Sequence, residues 1–107
     1  LAAGEATLCA VYPDARNPRA FPHQIDAGLE PHTVGEVWLM AHPEPDLRID
    51  VTDTFDRKLA ALRTHESQTG HRDDLEEMLR GWLAAGAAAG GFAEGRLAES
   101  FKVVTTA

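Results

Sequence analysis

Apolar and polar positions change period several times along this chain, and each change predicts an element. Leu1 to Val11 reads as a helix closed by Tyr12-Pro13-Asp14, because proline restricts the residue before it and offers no backbone donor. Polar loop residues follow to about Arg19. Phe21 to Gly28 holds one short helical turn, with Pro22 near its first position and Gly28 at its end. Glu36 to Met40 is a continuous apolar run bounded by Gly35 and Pro43, the pattern of a core strand buried on both faces. Arg48 to Thr52 alternates instead, which predicts a short strand near a sheet edge with Ile49 and Val51 inward.

Beyond it the period lengthens. Thr52 or Asp53 is placed to cap a helix whose apolar positions Phe55, Leu59 and Leu62 fall four and then three residues apart. A second helix begins near Asp73 and Asp74, acids suited to a helix N-terminus, and carries Leu75, Met78, Leu79, Trp82 and Leu83 on one face until Gly86, Gly90 and Gly91 stop it. Leu97 to Val104 then suits a last strand returning to the sheet. Helix, strand, strand, two helices and strand in that order belong to an α/β layered sheet, although the strands are few for a free-standing domain.

Length and charge narrow the partners. A chain of 107 residues is one domain at most. Its net charge is −7 and its ten Lys and Arg are scattered singly, so no basic stripe could neutralise a run of phosphates, and neither nucleic acid nor an anionic membrane is an expected partner. No apolar run approaches the ~20 residues that span a bilayer, and no leader opens the chain, which makes the cytoplasm the default compartment. The single Cys9, set among Glu5, Ala6, Leu8 and Val11, reads as a packed helix residue rather than a reactive thiol. Residue 1 is Leu, and the first helix has no capping residue before it, as if the chain started mid-protein.

Chemistry-bearing motifs are sparse. His42-Pro43-Glu44-Pro45-Asp46 follows a strand, where α/β sheets place ligands, and a histidine with carboxylates can bind a metal; the plainer reading is a stiff, solvated connection between two strands. His65 falls near the C-terminus of the helix that begins near Thr54, where a histidine is favoured electrostatically even without a further role; a place at a ligand site is the alternative. His71 has only Arg72 and Asp73 beside it, and His23 and His32 lie in loops without an acid or cysteine at ligand spacing. No HExxH, CxxC, GxSxG, Walker-type or GxGxxG pattern is present.

Taken together, Tyr12-Pro13-Asp14-Ala15-Arg16-Asn17-Pro18, the strand Glu36-Val37-Trp38-Leu39, and Asp50-Val51-Thr52 through Lys58-Leu59-Ala60-Ala61-Leu62 to His65-Glu66-Ser67-Gln68 resemble the PIG-L/LmbE-like deacetylase family, in order and spacing, over roughly residues 1 to 105. The resemblance implies a Rossmann-like α/β fold, of which residues 1–107 are the C-terminal portion, and zinc-dependent hydrolysis of an N-acetyl group on a glucosamine-containing substrate. In that family His-Pro-Asp-Asp and His-Pro-Asp-His motifs supply the zinc ligands and a general base, and neither motif is in this chain. His42-Pro43-Glu44-Pro45-Asp46 does not replace them, since the ligand position three residues after the histidine is Pro45. The chain alone is therefore expected to lack catalytic and metal residues, with zinc bound only in the complete protein. His65 and Gln68 match the family's HxSQ signature and are carried over as substrate-binding or supporting residues. The alternative is a non-catalytic binding or assembly module of the same fold, pairing through an open sheet edge with another chain or in a homo-oligomer.

Overall fold

In the computed structural model, which describes Leu1 to Ala107, the elements run α1 (Ala2–Val11), α2 (Pro22–Asp26), β1 (Glu36–Met40), β2 (Leu47–Asp50), α3 (Phe55–Arg63), α4 (Glu66–Thr69), α5 (Leu75–Ala89) and β3 (Ala98–Thr105). Helices and a small sheet make the chain mixed α/β. The sheet has three strands in the order β1-β3-β2, so the last strand in sequence lies in the middle. β2 runs antiparallel to β3, with Leu47 opposite Phe101, Arg48 opposite Ser100, Ile49 opposite Glu99 and Asp50 opposite Ala98. No helix is long and apolar enough to cross a membrane. The chain divides into two compact units, Leu1–Trp38 with Val104–Ala107, and Leu39–Val103.

The Leu39–Val103 unit holds the core: Phe55, Leu59, Leu75, Leu79, Leu83 and Leu97 cluster, and Val51, Leu62 and Met78 pack against them. Each buried leucine contributes roughly 1.5–3 kcal/mol through the apolar area it removes from water. The α5 stripe steps by four residues through Leu75, Leu79, Leu83 and Ala87. Such a stripe rotates about 40° at each step, and by the level of Leu83 it has turned away from Trp82, which is 66% exposed rather than part of the buried face. Gly86 does not stop the helix, which continues to Ala89 and is capped by Gly90. Its missing side chain brings α5 onto β3 instead: a Cβ there would lie 2.9 Å from the Ala98 carbonyl oxygen and 3.2 Å from Ser100 Oγ.

Both outer strands differ from expectation. β1 alternates half-buried Val37 and Leu39 with exposed Glu36, Trp38 and Met40, so it is not buried on both faces. The unbroken apolar run suggested two covered faces, but successive side chains of a strand point to opposite faces, and the face that carries Glu36, Trp38 and Met40 is exposed. In β2 the strand ends at Asp50; Ile49 is 36% exposed, whereas Val51, one residue past the strand, packs on the core. The predicted cap of α3 is also absent. A 3-10 turn over Thr52–Thr54 precedes the helix, and Thr54 occupies the cap position without a side-chain cap bond. Thr52 is engaged elsewhere, its hydroxyl donating to Asp50 Oδ1 at 2.6 Å and accepting from the Leu97 amide at 3.0 Å.

The unit of Leu1–Trp38 with Val104–Ala107 has no fully buried residue. Hydrogen bonds order it. The His32 amide donates to the Ala15 carbonyl at 2.8 Å, the Thr106 amide to Gly35 at 3.0 Å, and Arg16 Nη2 to the Thr106 carbonyl. Arg16 also lies over the Tyr12 ring, 5.5 Å from its centroid. Cys9 is exposed, against the expectation of packing, because α1 presents small residues all round and buries no face. His23 lies in α2 rather than in a loop.

Candidate functional site

The motifs singled out from the sequence are held by local physics. Asp50 of the Asp50-Val51-Thr52 motif accepts the Thr52 hydroxyl at 2.6 Å and the Thr52 amide at 3.0 Å, and pairs with Arg96 Nη2 at 2.6 Å. The Thr52 bonds first, then Arg96, pull its carboxyl down to about 2. The Val51 amide donates to the Leu97 carbonyl at 2.8 Å, so the motif fastens the end of β2 to the residue entering β3. Lys58 reaches Glu99 of β3 at 2.5 Å, and Leu59 and Leu62 supply core contacts.

His65 occupies the N-cap position of α4, immediately after α3 and its closing Thr64. Its carbonyl accepts from the Gln68 and Thr69 amides, both at 2.9 Å, and from Thr69 Oγ1 at 3.0 Å, while its amide donates to Leu62 at 3.1 Å. The His65 and Gln68 side chains are exposed. The backbone of this stretch thus makes a tight connection between helices.

The prolyl loop is likewise structural. His42 Nδ1 accepts from the Glu44 amide at 3.0 Å, and Asp46 accepts from Lys102 Nζ at 2.6 Å and the Val103 amide at 2.8 Å. The Lys102 bond, then the amide, hold the Asp46 carboxyl below the usual carboxylate range. No three His, Cys, Asp or Glu residues come together anywhere as a metal-binding group. The residues present do not fit the zinc that the family resemblance implies.

Two concave surfaces remain. In the Leu39–Val103 unit a groove of about 410 Å³ runs over Met40, Leu62, Trp82 and Phe101, with the Lys58–Glu99 pair among its lining. In the other unit a cleft of about 260 Å³ is lined by residues that include Asp14, Asn17, Phe21, Gln24, Ile25 and Glu30. Neither was visible as a site in the sequence. Asp14 and Asn17 belong to the Tyr12–Pro18 motif, and Gln24 and Glu30 carry no motif at all; the available signal was the density of unpatterned polar residues around Pro22 and Gly28.

No protein-family model matches the chain. Over 42 residues, 39% of this chain, it is 43% identical to the diacetylchitobiose deacetylase of Thermococcus kodakarensis. The similarity is to a deacetylase. The matched stretch covers 16% of that protein, so this chain corresponds to a minor share of the relative's length.

Proposed function

We propose that this chain is the C-terminal portion of a de-N-acetylase that removes an acetyl group from a glucosamine-containing saccharide. The observation that carries the reading is the 43% identity over 42 residues to a diacetylchitobiose deacetylase. The ordered motifs from Tyr12 to Gln68 agree with it. In this reading the three-stranded sheet and its helices complete a Rossmann-like layered fold whose remaining strands lie outside these residues. In this reading a zinc ion, which would supply an activated water, and the general base would be held by residues outside Leu1–Ala107. The contribution of this portion is structural: the Asp50 and Lys58 pairings fix β2, β3 and α3, and His65 and Gln68 stand at the α3–α4 connection as substrate-rim residues.

The test is to isolate the native protein, determine its intact mass and N-terminal sequence, and assay release of acetate from N,N′-diacetylchitobiose with and without a chelator. A longer chain with His-Pro-Asp-Asp and His-Pro-Asp-His before Leu1 and chelator-sensitive acetate release supports the reading. A native chain that begins near Leu1 and releases no acetate overturns it.

A second reading, a non-catalytic assembly module, is favoured by the groove over Met40 and Trp82, which are 74% and 66% exposed. Sedimentation of the native protein separates the two, because an assembly module self-associates or captures a partner and loses that association when Trp82 is changed to Lys.

A further inference from the structure

We propose that Arg16 and the Val104–Ala107 segment form a latch, and that opening it releases the Tyr12–Pro18 motif while the Leu39–Val103 unit stays folded. The latch is a circuit of hydrogen bonds. Arg16, at the end of the 3-10 turn Asp14–Arg16, donates from Nη2 to the carbonyl of Thr106, 90 residues along the chain. Thr106 in turn donates its amide to the Gly35 carbonyl at 3.0 Å and its hydroxyl to the Val34 carbonyl. The His32 amide closes the circuit by donating to the Ala15 carbonyl at 2.8 Å. Each link holds the next, so Tyr12–Pro18, Val34–Gly35 and Thr106 open together.

Two observations make this circuit, rather than burial, decide whether the unit is closed. All eight fully buried residues, from Phe55 to Ala98, lie in Leu39–Val103, and none lies in Leu1–Trp38 or Val104–Ala107. A unit without a core returns little apolar area to water when it opens, so its opening free energy falls well below that of the unit that holds the core. Arg16 is also held incompletely. Its Nε is shielded from solvent yet has no hydrogen-bond partner, and the acceptor of its Nη2 is a neutral carbonyl rather than a carboxylate. An unmet buried donor costs free energy in the closed state that water restores in the open one, and a bond from a charge to a carbonyl is weaker than one between two charges. The latch therefore closes the loop without locking it.

The experiment is native-state amide hydrogen exchange, read by NMR, on the full 107-residue chain and two variants. In the unaltered chain the Asn17, His32 and Thr106 amides should be protected to a common degree, about tenfold or more below the Val51 amide, which donates to Leu97 in the other unit. Arg16→Met keeps an apolar stem and removes the guanidinium; it should speed exchange at those three amides by one shared factor of about tenfold, as loss of a charged hydrogen bond does, and leave Val51 unchanged. Thr106→Val, which removes the hydroxyl bond to Val34 from the far side of the circuit, should speed the same three. No protection at the three amides in the unaltered chain, faster exchange confined to the residue beside each substitution, or equal acceleration at Val51 overturns the proposal. Should Arg16→Met abolish protection at all three, protection kept at Val51 supports the latch, and protection lost there overturns it.

Discussion

The Lys58 ammonium and the Glu99 carboxylate, 41 residues apart in sequence, meet at 2.5 Å and tie α3 to the middle strand of the sheet. Their side chains are 36% and 27% exposed, so solvent screens the pair and its worth is modest. A double-mutant cycle with Lys58→Met and Glu99→Gln should return a coupling of about 0.5–1 kcal/mol in urea unfolding. The coupling should shrink in high salt. Equal coupling at low and high salt would mean that packing of the lysine stem, not charge, joins the two elements.

Gly86 and Gly81 share a helix and predict opposite outcomes. At Gly81 nothing lies within 4 Å of an added Cβ, so Gly81→Ala should stabilise by about 0.5–1 kcal/mol through helix propensity alone. At Gly86 the same methyl meets the Ala98 carbonyl at 2.9 Å, a backbone atom of the central strand. Gly86→Ala should destabilise by about 1–3 kcal/mol, the usual range for overpacking, despite its better propensity. Thermal melts of the two variants side by side check the sign.

Element order was readable because each element imposes its own period, 3.6 for α3 and α5 and 2 for β2, and because Pro13, Pro22, Gly28 and Gly90 punctuate the chain at positions where backbone geometry requires them. Burial was less readable. Whether Trp38 and Met40 of β1 are covered depends on what packs on their face of the sheet, and that β3 rather than β1 is central follows from long-range pairing; no local pattern encodes either. The same limit explains Cys9 and Trp82. The cleft was unreadable for a further reason: Asp14, Gln24 and Glu30 share no periodicity, and contacts such as the His32–Ala15 bond that help close the chain around it are not local.

Asp50 predicts an acid limb in the stability profile. Its hydrogen bonds from Thr52 and its pairing with Arg96 lower its folded carboxyl pKa to about 2, below an unfolded value of about 4. A lowered folded pKa means that the unfolded chain binds the proton first, so the stabilisation is complete above about pH 4 and is lost as pH falls from there toward 2. Asp50→Asn should remove this part of the pH dependence and lower stability at neutral pH, since the amide keeps an acceptor for Thr52 but forfeits the charge facing Arg96. Urea midpoints at a series of pH values between 2 and 6 for both proteins are the check. An unchanged slope in the variant would mean that other carboxylates, such as Asp46 beside Lys102, account for the acid limb.

Leu79 and Trp82 look alike on a helical wheel yet occupy different environments. Leu79 is 7% exposed within the α3–α5 cluster, and Trp82 is 66% exposed over the groove. Leu79→Ala removes buried methyls from a core that has few residues to relax around the gap, and should cost about 2–5 kcal/mol. Trp82→Ala removes far more atoms but little buried area, and should change stability by about 0.5 kcal/mol or less, as surface substitutions do. Urea unfolding of the isolated chain measures both. A large loss on Trp82→Ala would mean that the ring is covered in solution, which would shift the functional reading toward assembly through the Met40–Trp82 groove; a small loss leaves the ring as free surface and keeps the folding energy in the Phe55–Leu97 cluster.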